Sequence, residues 1–416
     1  MFKHWKDYWK GWRKMVRLRS IAIQKRLVIT FLVFIAFFSL FRSSISSIFS
    51  LYYSHFGTTD NEISMIKSFQ NVGFLIGILP AGILSDRIGR LKIVSLSSSL
   101  MVVSFGLLYA YPVSSIFFIS EFLYGVALSM NSGALLAYYS SAKKKFGIKG
   151  DTSVFGHQVA IMNFMTLLGG NLGAAMFGVS IKMPIGISII GFLVYPIFIL
   201  CWIKFFNLEN SDSVVKVSPF LFPAKRIWQN KKFRLLVVIN VLFECGIQLI
   251  LIYWPIIFVE NFNYNLSMIY TLFIIVNLMG SELFSKVSSK ISLGKFLPIL
   301  SLCSVAAYIV MSFTKSSAYA LVGFLIVEFI MGLMDVQIVQ FSEQLIAEYE
   351  NKSQVLSYVT FLTELAVISS LVLNTILGSL LHLSVEKLLL ISAMYFFFLF
   401  LFSFLITKKE ALTDVY

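Results

Sequence analysis

Twelve stretches of this chain are each long and apolar enough to cross a lipid bilayer. They lie near residues 27–53, 63–84, 93–111, 113–139, 153–180 and 183–206, then 234–259, 267–287, 293–314, 317–342, 354–381 and 384–406. A spanning helix needs roughly 20 mostly apolar residues. Inside lipid only helices and closed barrels satisfy their own backbone polar groups, and the period-2 alternation of a barrel does not recur here. Composition agrees: 58% of residues are hydrophobic and 13% charged, against about 25% charged in a soluble domain. No soluble fold has interior enough for that surface. The predicted class is an all-α polytopic membrane protein of twelve transmembrane helices.

The formal net charge of +14 invites a nucleic-acid reading, and its placement argues against one. The tail through Arg26 holds nine basic residues and one acid, Asp7. Alternate loops add Arg87, Arg90 and Lys92, then Lys143, Lys144, Lys145 and Lys149, then Lys216, Lys225, Arg226, Lys231 and Lys232. The intervening loops are nearly bare, with no Lys or Arg between His55 and Glu62. By the positive-inside rule, both termini are expected in the cytoplasm and the protein in the plasma membrane. The basic region and first apolar run are too long for a signal peptide, and no A-x-A site follows. Within the tail, Trp5, Tyr8, Trp9, Trp12, Met15 and Val16 share one helical face and Lys6, Lys10, Arg13, Lys14 and Arg17 the other. That pattern predicts an interfacial helix gripping anionic headgroups; the plainer alternative is a basic tail that only sets topology.

The longest polar break, Asn207–Lys232, divides the spans six and six. The expected organisation is a cytoplasmic tail at 1–26, a six-helix bundle at 27–206, a cytoplasmic loop at 207–232, a second bundle at 233–407 and a tail at 408–416. A repeat should leave residual similarity between halves. Phe118-Ile-Ser-Glu121-Phe122-Leu-Tyr-Gly125 aligns with Leu325-Ile-Val-Glu328-Phe329-Ile-Met-Gly332, each in the fourth span of its half. A fainter echo joins Ser85-Asp-Arg87-Ile88 and Lys92 with Ser288-Ser-Lys290-Ile291 and Lys295.

The turn between spans two and three reads Gly82-Ile-Leu84-Ser-Asp86-Arg87-Ile-Gly89-Arg90-Leu-Lys92. Gly82 suits close helix approach, Asp86 suits a helix N-terminus and arginine partners, and Gly89 suits a backbone turn. In these residues the chain resembles the major facilitator superfamily, whose signature at this place is G-x-L-x-D-R-x-G-R. The resemblance implies two pseudo-symmetric six-helix bundles around a cavity that opens alternately to each side. It also implies that spans one, four, seven and ten line that cavity. The chain departs from the family's drug/proton antiporters: Glu121 stands where their span-four arginine would be. Span five carries Gly169, Gly173 and Gly178, expected to serve helix packing, but lacks their proline.

A charge at the bilayer centre costs about 2.5–3.5 kcal/mol on insertion scales, so deep ionisable residues demand a reason. Arg42, Glu121, Glu244, Glu328 and Glu364 lie well inside their spans, with Asp335 nearer the inner side. Arg42 and Glu121 are expected to pair. Glu244 and Glu328 have no equally deep cation in their own half, and desolvation favours a neutral carboxyl, which suits them to carry a coupling proton or to bind a cationic solute. For each, a helix-to-helix hydrogen bond is the alternative role. Asn240, Gln248, Asn277, Gln337, Gln340 and Asn374 could contact solute or simply join helices.

His4, His55, His157 and His382 are scattered, and Cys201, Cys245 and Cys303 lie far apart in apolar runs. No metal, disulfide or catalytic constellation is supported, and no P-loop is present. No cofactor or enzymatic activity is expected. The leading reading is a monomeric secondary transporter of a small organic solute, coupled to protons, with export favoured over uptake. A non-transporting membrane sensor is the alternative from another class.

Overall fold

In the computed structural model the described residues, 25–145, 153–206, 228–287, 293–346 and 352–413, are almost entirely helical and contain no strand. Twelve helical spans follow in order. The first half has α1 (Lys25–His55), α2 (Asp60–Ile88), α3 (Arg90–Ala110), α4 (Ser114–Lys145), α5 (Ser153–Val179) and α6 (Met183–Phe206). The second has α7 (Lys231–Pro255, continued as a π-helical turn Ile256–Asn261), α8 (Leu266–Val287), α9 (Leu293–Phe313), α10 (Ser317–Ile346), α11 (Lys352–Leu380) and α12 (Val385–Thr413). Because α12 runs to Thr413, most of the segment expected as a tail at 408–416 is helix. The amphipathic tail, most of the central loop and the echo beginning at Ser288 fall outside the described residues.

Local chemistry explains the helix ends. Glu62 accepts hydrogen bonds from the amide and hydroxyl of Thr59, at 3.0 and 3.1 Å, a capping box that starts α2. Asn265 Oδ1 accepts the Met268 amide at the head of α8. Helix α1 is interrupted at Ser47–Ile48. Just before the break, Ser44 and Ser46 turn their hydroxyls onto the carbonyls of Phe41 and Ser43, a local competition with the helix ladder that bends it.

Among the described residues, ten helical stretches are apolar enough by length and composition to cross a membrane. The chain forms two compact units that do not follow the six-and-six division. One unit holds α3, α5, α6, the early part of α1 and the later parts of α2 and α4. Its core joins α1 to α6: Phe37 stacks on Tyr195 and Phe198, and Tyr195 donates to the Phe34 carbonyl at 3.0 Å. Ser44 and Ser188 hydroxyls meet at 2.8 Å.

The other unit holds α7 to α12 together with residues 47–75 and 112–122. In it α9 packs along α12 and α10, α8 along α10, and α7 against α11 and α12. The first-half segments are fastened to α7 and α11 by polar contacts. Ser50 donates to the Ile252 carbonyl. Tyr253 donates to the Asp60 carbonyl at 2.5 Å and accepts from Ser64 at 2.6 Å. Ser54 donates to Glu260 at 3.1 Å, and Thr375 to the Asn61 carbonyl at 3.2 Å. All of these lie at the end of the helices whose loops are poor in Lys and Arg.

Candidate functional site

The motif turn is tight: α2 ends at Ile88, α3 begins at Arg90, and Gly89 between them has φ +103°. A side chain at that angle is strained, so the glycine is required by geometry. Arg87 is exposed and Arg90 half-buried. The surroundings of Gly82 and the Asp86 side chain fall outside the described residues.

Glu121 is 1% exposed on α4. Its cation is Lys67 of α2, with Nζ 2.5 Å from Oε1. Tyr53 of α1 donates to the same oxygen at 2.5 Å. The Lys67 ammonium also donates to Gln70 at 3.3 Å and sits 3.8 Å from the centroid of the Phe49 ring. This corrects the expected partnership: the recorded counter-ion of Glu121 is Lys67, while Arg42 is exposed and donates through Nε to the Tyr124 hydroxyl at 3.2 Å. Lys67 escaped sequence reading because the apolar run of span two starts at Ile63. That placed the lysine at the edge of its span, where cations snorkel to water. The helix in fact begins at Asp60, and Lys67 is 13% exposed.

Glu328 on α10 is fully buried, and neither carboxyl oxygen has a hydrogen-bond partner among the described residues. Asn277 of α8 donates to its backbone carbonyl at 3.4 Å and lies close enough to act on the carboxyl as well. Glu244 (α7) and Glu364 (α11) are half-buried and Asp335 (α10) exposed. Glu244 lies near enough to Asp335 and Glu364 to feel the charge of both. The structure thus groups acids of α7, α10 and α11, with Asp335 close enough to act on both Glu244 and the fully buried Glu328. Among the neutral candidates, Asn240 bonds its own helix at the Leu236 carbonyl. Gln337 and Asn374 are buried, with no partner for either polar atom among the described residues.

The span-five glycines divide. A methyl group on Gly169 or Gly173 would run into the α1 carbonyls of Leu40 or Ser44, so these two let α5 lie against α1. Gly178 faces open space, with nothing within 4 Å of an added Cβ; close packing does not account for it, contrary to expectation.

The model of the Major Facilitator Superfamily matches residues 28–371. The crystal structure of the nucleoside transporter NupG superposes with a TM-score of 0.69 at 10% identity, covering 93% of this chain and 98% of that one. The human organic anion transporter MFSD10 (TETRAN) superposes with a TM-score of 0.57 at 14% identity, covering 91% and 99%. At such identities these likenesses speak for the fold alone. No curated protein sequence matches the chain. With twelve helical spans, the motif turn and a family match over most of its length, the chain belongs to the major facilitator superfamily and is a multi-pass membrane transporter.

Proposed function

We propose that the protein is a proton-coupled secondary transporter that moves a small organic solute by alternating access. It works in the plasma membrane with both termini cytoplasmic, and export is favoured over uptake. The observation that carries the coupling is Glu328, buried with both carboxyl oxygens unpartnered. A bare carboxylate in such a place is far more costly than the neutral acid, so the group is suited to hold a proton in this arrangement and release it when the helices rearrange. Glu244, with Asp335 and Glu364 close enough to act on it, favours a solute bearing positive charge, and NupG and MFSD10 add nucleosides and organic anions to the solutes worth trying.

The test uses the full chain in proteoliposomes loaded with a pH-sensitive dye and challenged with organic cations, nucleosides and organic anions. Solute-dependent proton movement is expected, its sign separating export by exchange from uptake by co-transport. Glu328→Gln should abolish the proton movement while leaving solute-for-solute exchange intact. Full coupling in that variant defeats the assignment of Glu328. A chain that moves neither solute nor protons across the panel favours the sensor reading.

A further inference from the structure

The two halves repeat one helix crossing, and they differ at it by one charge. Gly73 of α2 lies against the Phe122 carbonyl of α4, so that an added methyl would collide with it. Gly280 of α8, 207 residues later, lies against the Phe329 carbonyl of α10 in the same way. The same displacement carries Glu121 onto Glu328 and Gln70 onto Asn277, but Lys67 onto Ile274. One scaffold therefore presents two equivalent glutamates, of which, among the described residues, only the first has a resident cation.

That cation touches more than its carboxylate. Phe49, whose ring lies under the ammonium, and Tyr53, whose hydroxyl shares the Glu121 oxygen, both belong to Phe49–His55, the helical segment after the break in α1. On its other side this segment donates from Ser50 to α7 at the Ile252 carbonyl and from Ser54 to Glu260. Its position is thus fixed by a charged clamp from α2 and α4 and by hydroxyl contacts to α7. The Ser47–Ile48 break gives it a joint about which to move.

We propose that Lys67 is a positioning residue that, through its ion pair with Glu121, holds the Phe49–His55 segment of α1 on α7 and so keeps this end of the transporter closed. The Lys67–Glu121 contact joins two full charges, whereas the contacts to α7 are one hydroxyl bond to a carbonyl, from Ser50, and one to a carboxylate, from Ser54. Losing the pair removes the charge that Phe49 and Tyr53 both touch and leaves the segment on its hydroxyl bonds and on ring contacts such as Tyr53 against Phe117. At Glu328, where the sequence has Ile274 in the place of Lys67, no such clamp is present among the described residues, so the repeated glutamates are split between a holding part and a proton-carrying part. The inference rests on the transporter reading, but its readout does not require transport.

Thr58 reports the state of this end: it is 6% exposed, and its amide bonds the Tyr53 carbonyl at 3.1 Å. The full chain, with Cys201, Cys245 and Cys303 replaced and Thr58→Cys added, is reconstituted in lipid nanodiscs and labelled with a hydrophilic maleimide. Rates are referred to Tyr111→Cys, an exposed control. Lys67→Met and Glu121→Gln are each expected to speed labelling by about fivefold or more, the change in open population for a shift near 1 kcal/mol. Lys67→Arg should stay within about twofold of the parent, because it keeps the charge. Labelling unchanged in both neutral variants overturns the proposal, as does equal acceleration in Lys67→Arg. Should Lys67→Met give no folded protein, Glu121→Gln decides alone. Accelerated labelling in a chain that moves no protons would sink the coupling reading and leave this one standing.

Discussion

Lys67 Nζ and Glu121 Oε1 stand 2.5 Å apart between α2 and α4, with the carboxylate almost wholly excluded from solvent. Removing one partner of a buried pair costs about 3–5 kcal/mol, while replacing both by neutral groups costs far less. Lys67→Met is therefore expected to lower stability by about 3 kcal/mol, and Lys67→Met with Glu121→Gln to recover more than half of that. Denaturation of the four proteins of this cycle in mixed micelles measures the coupling. Simple additivity of the two single losses would show that the pair does not act as a unit.

Gly173 and Gly178 stand on the same helix five residues apart and face different surroundings. Gly173→Ala drives a methyl into the Ser44 carbonyl, and overpacking of this kind costs about 1–3 kcal/mol. Gly178→Ala has room and gains helix propensity, up to about 1 kcal/mol. Thermal melting should separate the pair by sign.

At Gly89 the expected defect is conformational. With φ at +103°, Gly89→Ala should cost about 1–3 kcal/mol in strain and slow transport by disturbing the turn that sets α3 against α2. Transport that falls with no loss of melting temperature would locate the defect in conformational exchange instead.

Asp60 heads α2, ahead of its apolar run. Burial, and then the charge of Glu386, raise its carboxyl above the ordinary value of 3.8. The folded state therefore favours the neutral acid, and its contribution is full below the ordinary value and is lost as pH rises through the raised one. Packing around Asp60, Asn261 and Glu386 should loosen as pH climbs above about 4. Melting curves from about pH 4 to pH 7 are expected to slope downward with pH and to flatten in Asp60→Asn. An identical slope in the variant would assign the dependence to other groups.

Much of this protein was legible before any coordinates. Apolar runs anticipated the succession of twelve helices, ten stretches of which are apolar enough among the described residues to cross a membrane, because the bilayer imposes length and hydrophobicity residue by residue. The motif turn was legible because Gly89 must take a backbone angle that side chains resist. The alignment of Glu121 with Glu328 survived because both lie beside a crossing that only glycine admits, at Gly73 and Gly280.

What the sequence determined alone was therefore the all-helical membrane class, the succession of twelve helices and the family turn, all properties of local composition. Which cation meets which acid was decided only by tertiary packing. Arg42 and Lys67 are both basic residues on helices of the first half, as Glu121 is, and nothing in a linear pattern ranks their distances to Glu121. The crossing of α2 over α4 at Gly73 brings Lys67 to the carboxylate and turns Tyr53 and Phe49 onto the same ammonium. Ion pairing falls off over a few ångströms, so the partner is set by how helices far apart in sequence dock, and only the folded chain fixes that.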